Sequence, residues 1–140
     1  MHESYITSWS WRWPAAAALS ATAAIHMTLV PEHLREAPYA GALFIALSAA
    51  ALATAMLLSA ADHDLAWLAA VAISLGALVA YFLSRSIGLP SLRDDIGDWG
   101  NPLGLAAVAC EALTLICWVA RWPTLPRVFR PADATLGTKA

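Results

Sequence analysis

Four long apolar stretches, each close to the length needed to cross a bilayer, limit what this chain can fold into. They occupy residues 13–30, 38–61, 65–84 and 102–120, and a membrane-spanning helix needs about 17 to 25 mostly apolar residues. Of all residues, 60% are hydrophobic and only 13% are charged, whereas a soluble domain carries about a quarter charged residues. A water-soluble fold would have too little polar surface to cover its core. The sequence therefore predicts a multi-pass membrane protein in contact with the lipid bilayer.

The spanning segments are predicted to be helices. Lipid cannot satisfy open backbone groups, and the alternating polar residues of a membrane barrel are absent. Two of the three breaks, "PEHLREA" and "DHD", are short, so the helices they join are antiparallel neighbours. We expect an all-α membrane protein, an antiparallel four-helix transmembrane bundle that forms one domain over residues 1–140. The first stretch partly fits a signal peptide, but we expect it to be retained, and we expect a loose tail over 123–140.

The placement of lysine and arginine predicts the orientation of the bundle. Four spans put both termini and residues 62–64 on one side, and Arg35, Arg85 and Arg93 on the other. The side of the termini carries more basic residues, namely Arg12, Arg121, Arg127, Arg130 and Lys139. This bias predicts a plasma membrane protein with both termini in the cytoplasm.

Charge and cysteine content narrow the function classes. The formal net charge is -2, and nothing forms the clustered basic face that nucleic acid requires. Cys110 and Cys117 are seven residues apart in one apolar run, where a helix holds them about 10 Å apart. They are therefore predicted not to bridge each other.

Two ionisable residues lie inside the spans, His26 in the first and Glu111 in the fourth. Ionisable groups within spans usually face the bundle interior and find a partner there. Glu111 is near 15 Å deep at 1.5 Å per residue, and we expect it to pair with Arg85 or His26. The plainer alternative for His26 is a neutral imidazole that is hydrogen-bonded to a neighbouring helix.

The stretch "IHMTLVPEHLREAPYAG" follows from the first span. Pro31 is predicted to end or kink the first helix near Val30, so that the broken end can turn inward. A short helix after it would place Glu32, His33 and Glu36 on one side. The polar groups of the outer half of the bundle would then be His26, Glu32, His33, Glu36, Arg85 and Glu111.

Imidazoles with carboxylates are the ligands of borderline divalent metals, and helix bundles build metal sites from inward-facing glutamates and histidines. The leading hypothesis is a protein that binds or senses zinc, copper or iron. The predicted metal ligands are His26, Glu32, His33, Glu36 and Glu111. His26 and Arg85 are predicted to contact a cofactor, and haem with His26 as axial ligand is an alternative within the same class.

Other interpretations remain open. "EHLRE" can be a solvated turn, and "DHD" and "RDDIGDW" are expected to be solvated loops. The protein can be an accessory subunit of a larger membrane complex, with Arg85 and Glu111 as a buried pair, or a homo-oligomer. A proton-coupled carrier ranks lower, because it needs a midplane pathway and usually internal repeats, and the two halves show no clear repeat. The sequence assigns no reaction.

Several segments resemble a group of small four-span actinobacterial membrane proteins. The shared segments are His-x5-Glu-His-x2-Glu, Ser-Arg-x2-Gly-Leu-Pro and a late glutamate. Here they correspond to "HMTLVPEHLRE", "SRSIGLP" and Glu111. The resemblance covers about two thirds of the chain and implies a shared bacterial membrane site whose ligand it does not name. The acidic "RDDIGDW" loop departs from the group.

Overall fold

A computed structural model describes residues 4–122 of the chain, with side chains from residue 11 onward. Its helices are α1 (Ser4–Glu36), α2 (Pro38–Ala60), α3 (Asp64–Ser86) and α4 (Pro102–Ala120), with a 3-10 turn at Arg93–Asp95. All four helices are long and apolar enough to cross a membrane. This confirms the predicted all-α four-helix bundle and fits an integral membrane protein. The predicted loose tail lies outside the described residues.

The helices form a closed ring in chain order. Helix α1 packs against α2 and α4, and α3 packs against the same two helices. We call the end where α1 turns into α2 at Ala37 the capped end, because residues 87–101 also lie there. The opposite end, with the turn at 61–63 and Trp67, is the tryptophan end.

The first helix does not end at Pro31, so the predicted end there was wrong, while a kink at Pro31 stays a prediction. Helix α1 continues through Pro31 to Glu36, and the break falls at Ala37, whose φ of -146° and ψ of 87° are not helical. Pro38 causes this break because a residue before proline disfavours the helical region. Near the helix end, His33 Nδ1 hydrogen-bonds to the Leu29 carbonyl at 2.9 Å.

Residues 87–101 fold onto the capped end. Leu92 is buried with Ala37 and Ala40 in a small apolar cluster. The Tyr39 hydroxyl donates to the Pro90 carbonyl at 2.6 Å. These contacts attach the segment to α2, so that it covers part of this end of the bundle.

The prediction that Glu111 pairs with Arg85 or His26 was wrong, because the ion pairs between described side chains do not include Glu111. Arg85 Nη1 lies 2.7 Å from Asp95 Oδ1, and the Ser84 hydroxyl donates to the other Asp95 oxygen at 3.2 Å. Arg85 is at the end of α3, directly beside the segment that carries Asp95, whereas Glu111 is in the middle of α4. The acidic loop that the sequence analysis treated as solvated therefore supplies the partner of Arg85.

The tryptophan end is closed by one large side chain. Trp67 is 1% exposed, and its Nε1 donates to Asp62 Oδ1 at 2.6 Å. The Arg121 guanidinium lies 5.0 Å from the centre of a Trp67 ring, and Arg121 also forms an ion pair with Asp64. This last contact fixes the register of α4 against α3. Cys110 and Cys117 are free thiols, as predicted.

The close approach of α1 and α2 gives a prediction. A Cβ atom added at Gly41 would lie 2.8 Å from the Leu34 backbone nitrogen and 2.5 Å from Leu34 Cγ, so Gly41→Ala must push the two helices apart. We expect it to destabilise the bundle by about 1–3 kcal/mol, measured as a lower melting temperature in detergent. Gly76→Ala is the control, because a Cβ there meets no atom within 4 Å. Equal melting temperatures for both variants would contradict the tight α1–α2 contact.

Candidate functional site: a polar layer inside the bundle

Buried polar side chains of α3 and α4 lie at the same depth in the bundle. Asp64 and Arg121 are paired at the tryptophan end; Ser74 follows Asp64 by ten residues, and Glu111 precedes Arg121 by ten. At 1.5 Å per residue both lie about 15 Å from that end. The packing of Tyr81 against Gly104 agrees with this register. Ser74 is 0% and Glu111 1% exposed, so both face the interior.

Helices α1 and α2 place polar residues close to the same depth. His26 precedes the end of α1 at Glu36 by ten residues, and Ser48 follows the start of α2 at Pro38 by ten. Thr22 is one turn nearer the tryptophan end than His26. All three side chains are buried. We call the resulting set the polar layer; its members are Thr22, His26, Ser48, Ser74 and Glu111.

Three hydroxyl groups of the polar layer are buried without a hydrogen-bond partner among the described residues. They are Thr22 Oγ1, Ser48 Oγ and Ser74 Oγ, one from each of α1, α2 and α3. Serine and threonine in helices commonly donate to the carbonyl four residues earlier. Ser59 does so at 2.8 Å and Thr114 at 3.1 Å. The hydroxyls of the polar layer do not, which leaves their hydrogen-bonding capacity for groups in the interior.

Glu111 supplies the carboxyl group of the layer. The ion pairs that join side chains of residues 11–122 are Arg85–Asp95 and Arg121–Asp64, so Glu111 belongs to neither. Burying an ionised carboxylate without a cation is costly. The carboxyl group is neutral when it holds a proton or a monovalent cation, which makes it a binding group by its chemistry.

Two histidines of α1 lie at different depths, His26 in the polar layer and His33 nearer the capped end. His26 Nδ1 lies 2.9 Å from the Thr22 carbonyl oxygen; a carbonyl can only accept, so Nδ1 carries the hydrogen and a neutral ring has its lone pair on Nε2. Phe44 of α2 lies between the imidazoles, with ring centroids 5.1 Å from His26 and 4.6 Å from His33. His33 is partly buried nearer the end of α1. The plainer interpretation of His26 was a bond to a neighbouring helix, whereas the bond is to its own helix.

The remaining predicted site residues lie elsewhere. Glu32 and Glu36 are exposed and line a shallow surface depression together with Thr28, Pro31 and Arg35. Within residues 11–122, no three His, Cys, Asp or Glu side chains are close enough to hold a metal ion. The physical reason is the continuous α1, because Pro31 does not turn Glu32 and Glu36 inward. Binding of zinc, copper, iron or haem at these residues stays a prediction.

Sequence reasoning found His26 and Glu111 but missed Thr22, Ser48 and Ser74. Hydroxyl residues are common in membrane helices and carry no charge, so none of the three stands out by itself. The available signal was positional: Ser48, Ser74 and Glu111 each lie about ten residues from a predicted helix end. In a closed antiparallel bundle, such residues share one depth.

Comparison of this chain with known protein families, curated proteins and solved structures found no match. The resemblance to small actinobacterial membrane proteins therefore stays a prediction.

The burial of Glu111 generates a prediction about stability. A carboxyl group without a charged partner is costly to keep in an apolar interior, so Glu111→Met, which replaces it by an apolar side chain of similar volume, should raise the unfolding free energy by about 1–3 kcal/mol. The measurement is thermal unfolding of the purified protein in detergent. Leu113→Met, on the same helix but 42% exposed, is the matched control and should change little. A clear loss of stability in Glu111→Met alone would show that the carboxyl group serves the fold.

Proposed function

We propose that this multi-pass membrane protein binds a proton reversibly on Glu111 and that its activity in the membrane is coupled to that proton. The observation that carries the proposal is the polar layer, in which a fully buried carboxyl group lies at the depth of buried hydroxyls from the other three helices. Ionisable residues inside a membrane commonly mark proton relays and ion pathways. Hydroxyl groups both donate and accept hydrogen bonds, which suits the transfer of a proton.

The charge of the layer favours a proton over a divalent metal. Glu111 is the acidic residue of the layer, and His26 with Nδ1 bonded to a carbonyl is an uncharged ligand when neutral. One proton makes this group of residues neutral, whereas a divalent ion would leave an excess positive charge in a medium of low dielectric constant. A monovalent cation has the same charge as a proton, and the experiment below separates the two.

Keeping unpartnered hydroxyls inside an apolar bundle has a cost that a packing role does not explain. An unsatisfied buried polar group costs about 1–3 kcal/mol, and alanine would fill much of the same space at Ser48 or Ser74. The accessory-subunit interpretation relied on an Arg85–Glu111 pair, and Arg85 pairs with Asp95 instead. Membership of a larger complex or a homo-oligomer stays a prediction. With both termini in the cytoplasm, the capped end would face the outside of the plasma membrane.

Infrared spectroscopy tests the proposal directly. A protonated carboxylic acid has a C=O stretching band separate from the amide and carboxylate bands. In proteoliposomes the wild type should show one such band that disappears reversibly as the pH rises, and Glu111→Gln should lack it. Glu36→Gln is the matched control, because Glu36 is an exposed glutamate of α1, and it should keep the band. Raising sodium at constant pH should leave the band in place.

Two results would contradict the proposal. A band that sodium removes at constant pH would assign the site to a monovalent cation that competes with the proton. The absence of any titrating band that Glu111→Gln abolishes would show that Glu111 does not exchange protons and that the layer is a structural network.

A further inference from the structure

We infer that the polar layer exchanges its proton with one side of the membrane only, the capped end, through the imidazoles of His33 and His26, and that Phe44 controls this exchange. The inference rests on the proposed proton binding at Glu111. It adds the route of the proton, the direction of that route and the residues along it, His33, Phe44 and His26. It comes from the difference between the two halves of the bundle interior.

The half toward the capped end contains a series of polar groups on one face of α1. His33 and His26 are separated by seven residues, a spacing that keeps side chains on one helix face. Thr22 continues this face one turn beyond His26, toward the tryptophan end. His33 is partly exposed and His26 is buried. Their Nδ1 atoms are both bonded to backbone carbonyls, so both rings are held with Nε2 free to take up a proton. This arrangement gives a stepwise path from the surface to the depth of Glu111.

Phe44 interrupts that path. The seven residues between the histidines correspond to about 10 Å along the helix, which is too long for a direct hydrogen bond. The Phe44 ring contacts both imidazoles, edge-on at His26 and tilted at His33. A proton must therefore cross with the help of water that enters when the Phe44 ring moves aside.

The half toward the tryptophan end is mostly apolar and tightly packed, and Arg12 of α1 is a charged residue buried at its far end. Its buried side chains form one cluster that includes Leu19, Leu58, Trp67 and Cys117, with alanines between them. Two threonines, Thr54 and Thr114, lie about one turn below Glu111 and are the last buried hydroxyls before this cluster. Trp67 is held by Asp62 and Arg121. This half offers no series of groups that could pass a proton among the described residues.

Other titratable groups near the route come from several elements. On α1 they are Glu32, Arg35 and Glu36, which are exposed on the surface. On α3 and the segment after it, Arg85 and Asp95 are paired with each other. On α4 they are Glu111 and the neighbouring free thiol of Cys110. Tyr39 of α2 donates to a backbone carbonyl. Phe44 contacts both imidazoles, and none of these titratable side chains lies between the two histidines in its place. We therefore assign the route to His33 and His26.

The test follows the Glu111 infrared band in proteoliposomes of one orientation. The orientation is selected by capturing vesicles through a cysteine that replaces Asp94, an exposed residue of the capped end, in protein whose Cys110 and Cys117 are changed to alanine. The pH outside is then stepped while the pH inside is held, and an entrapped dye reports that the gradient persists. We expect the band to follow the pH on the capped side and to ignore a gradient imposed from the tryptophan side.

Two variants test the assigned residues. His26→Phe keeps an aromatic ring against Phe44 and should slow the response of the band on the order of tenfold or more, without abolishing the band at equilibrium. Phe44→Ala should speed the response, and Phe44→Leu should lie between it and the wild type. His63→Phe is the control, because His63 is exposed at the other end, and it should leave the rate unchanged.

The outcomes separate this inference from the proposed function. If no band titrates at all, the proposed function fails. If the band titrates but follows the pH on the tryptophan side, or on both sides equally, proton binding stands and one-sided access is wrong. If His26→Phe responds at the wild-type rate while folding normally, as judged by its melting temperature, the histidine route is wrong.

Discussion

The structure depends on one constraint: in lipid, every polar group must be satisfied within the protein. The backbone meets it by forming helices that carry their own hydrogen bonds. Polar side chains at the two ends find partners within the protein. These contacts are the ion pairs Arg85–Asp95 and Arg121–Asp64 and the hydrogen bond from Trp67 to Asp62. Among the hydroxyl groups of residues 11–122, those that are buried without a described partner are at Thr22, Ser48 and Ser74, near the middle of the bundle. That exception is what separates the polar layer from the rest of the fold.

The two ends of the bundle differ in how their interior is filled and how their polar groups are satisfied. This difference makes the bundle asymmetric along its long axis. At the tryptophan end a cluster of apolar side chains that includes Trp67 fills the interior, and Asp62 and Arg121 contact Trp67. At the capped end a loop with a buried leucine covers part of the bundle, and two histidines extend inward on α1. A helix bundle that was only a packing scaffold would have no need for imidazoles at graded depths on one helix face. This asymmetry supports both the proton site and its one-sided access.

Much of the fold could be predicted from the sequence, because hydrophobic length is a strong signal. Helices α2, α3 and α4 end within about two residues of the predicted spans. The end of α1 was predicted wrongly because either Pro31 or Pro38 could end the helix. The sequence does not decide between them, since the choice depends on how α1 packs on α2. The partner of Arg85 was missed because Asp95 reaches it through a loop whose path no local pattern encodes. His26 and Glu111 were identifiable by charge, whereas the hydroxyls required the register between neighbouring helices.

The register of α3 against α4 places Ser74 and Glu111 at one depth in the interior, and paired cysteines measure this register in the membrane. In protein with Cys110 and Cys117 changed to alanine, Ser74→Cys is combined with either Glu111→Cys or Leu113→Cys and treated with a short thiol cross-linker in the membrane. We expect efficient cross-linking of the 74–111 pair and little of the 74–113 pair, because residue 113 faces away from the interior. Cross-linking of the 74–113 pair in preference to 74–111 would place Glu111 on the lipid side and remove it from the polar layer.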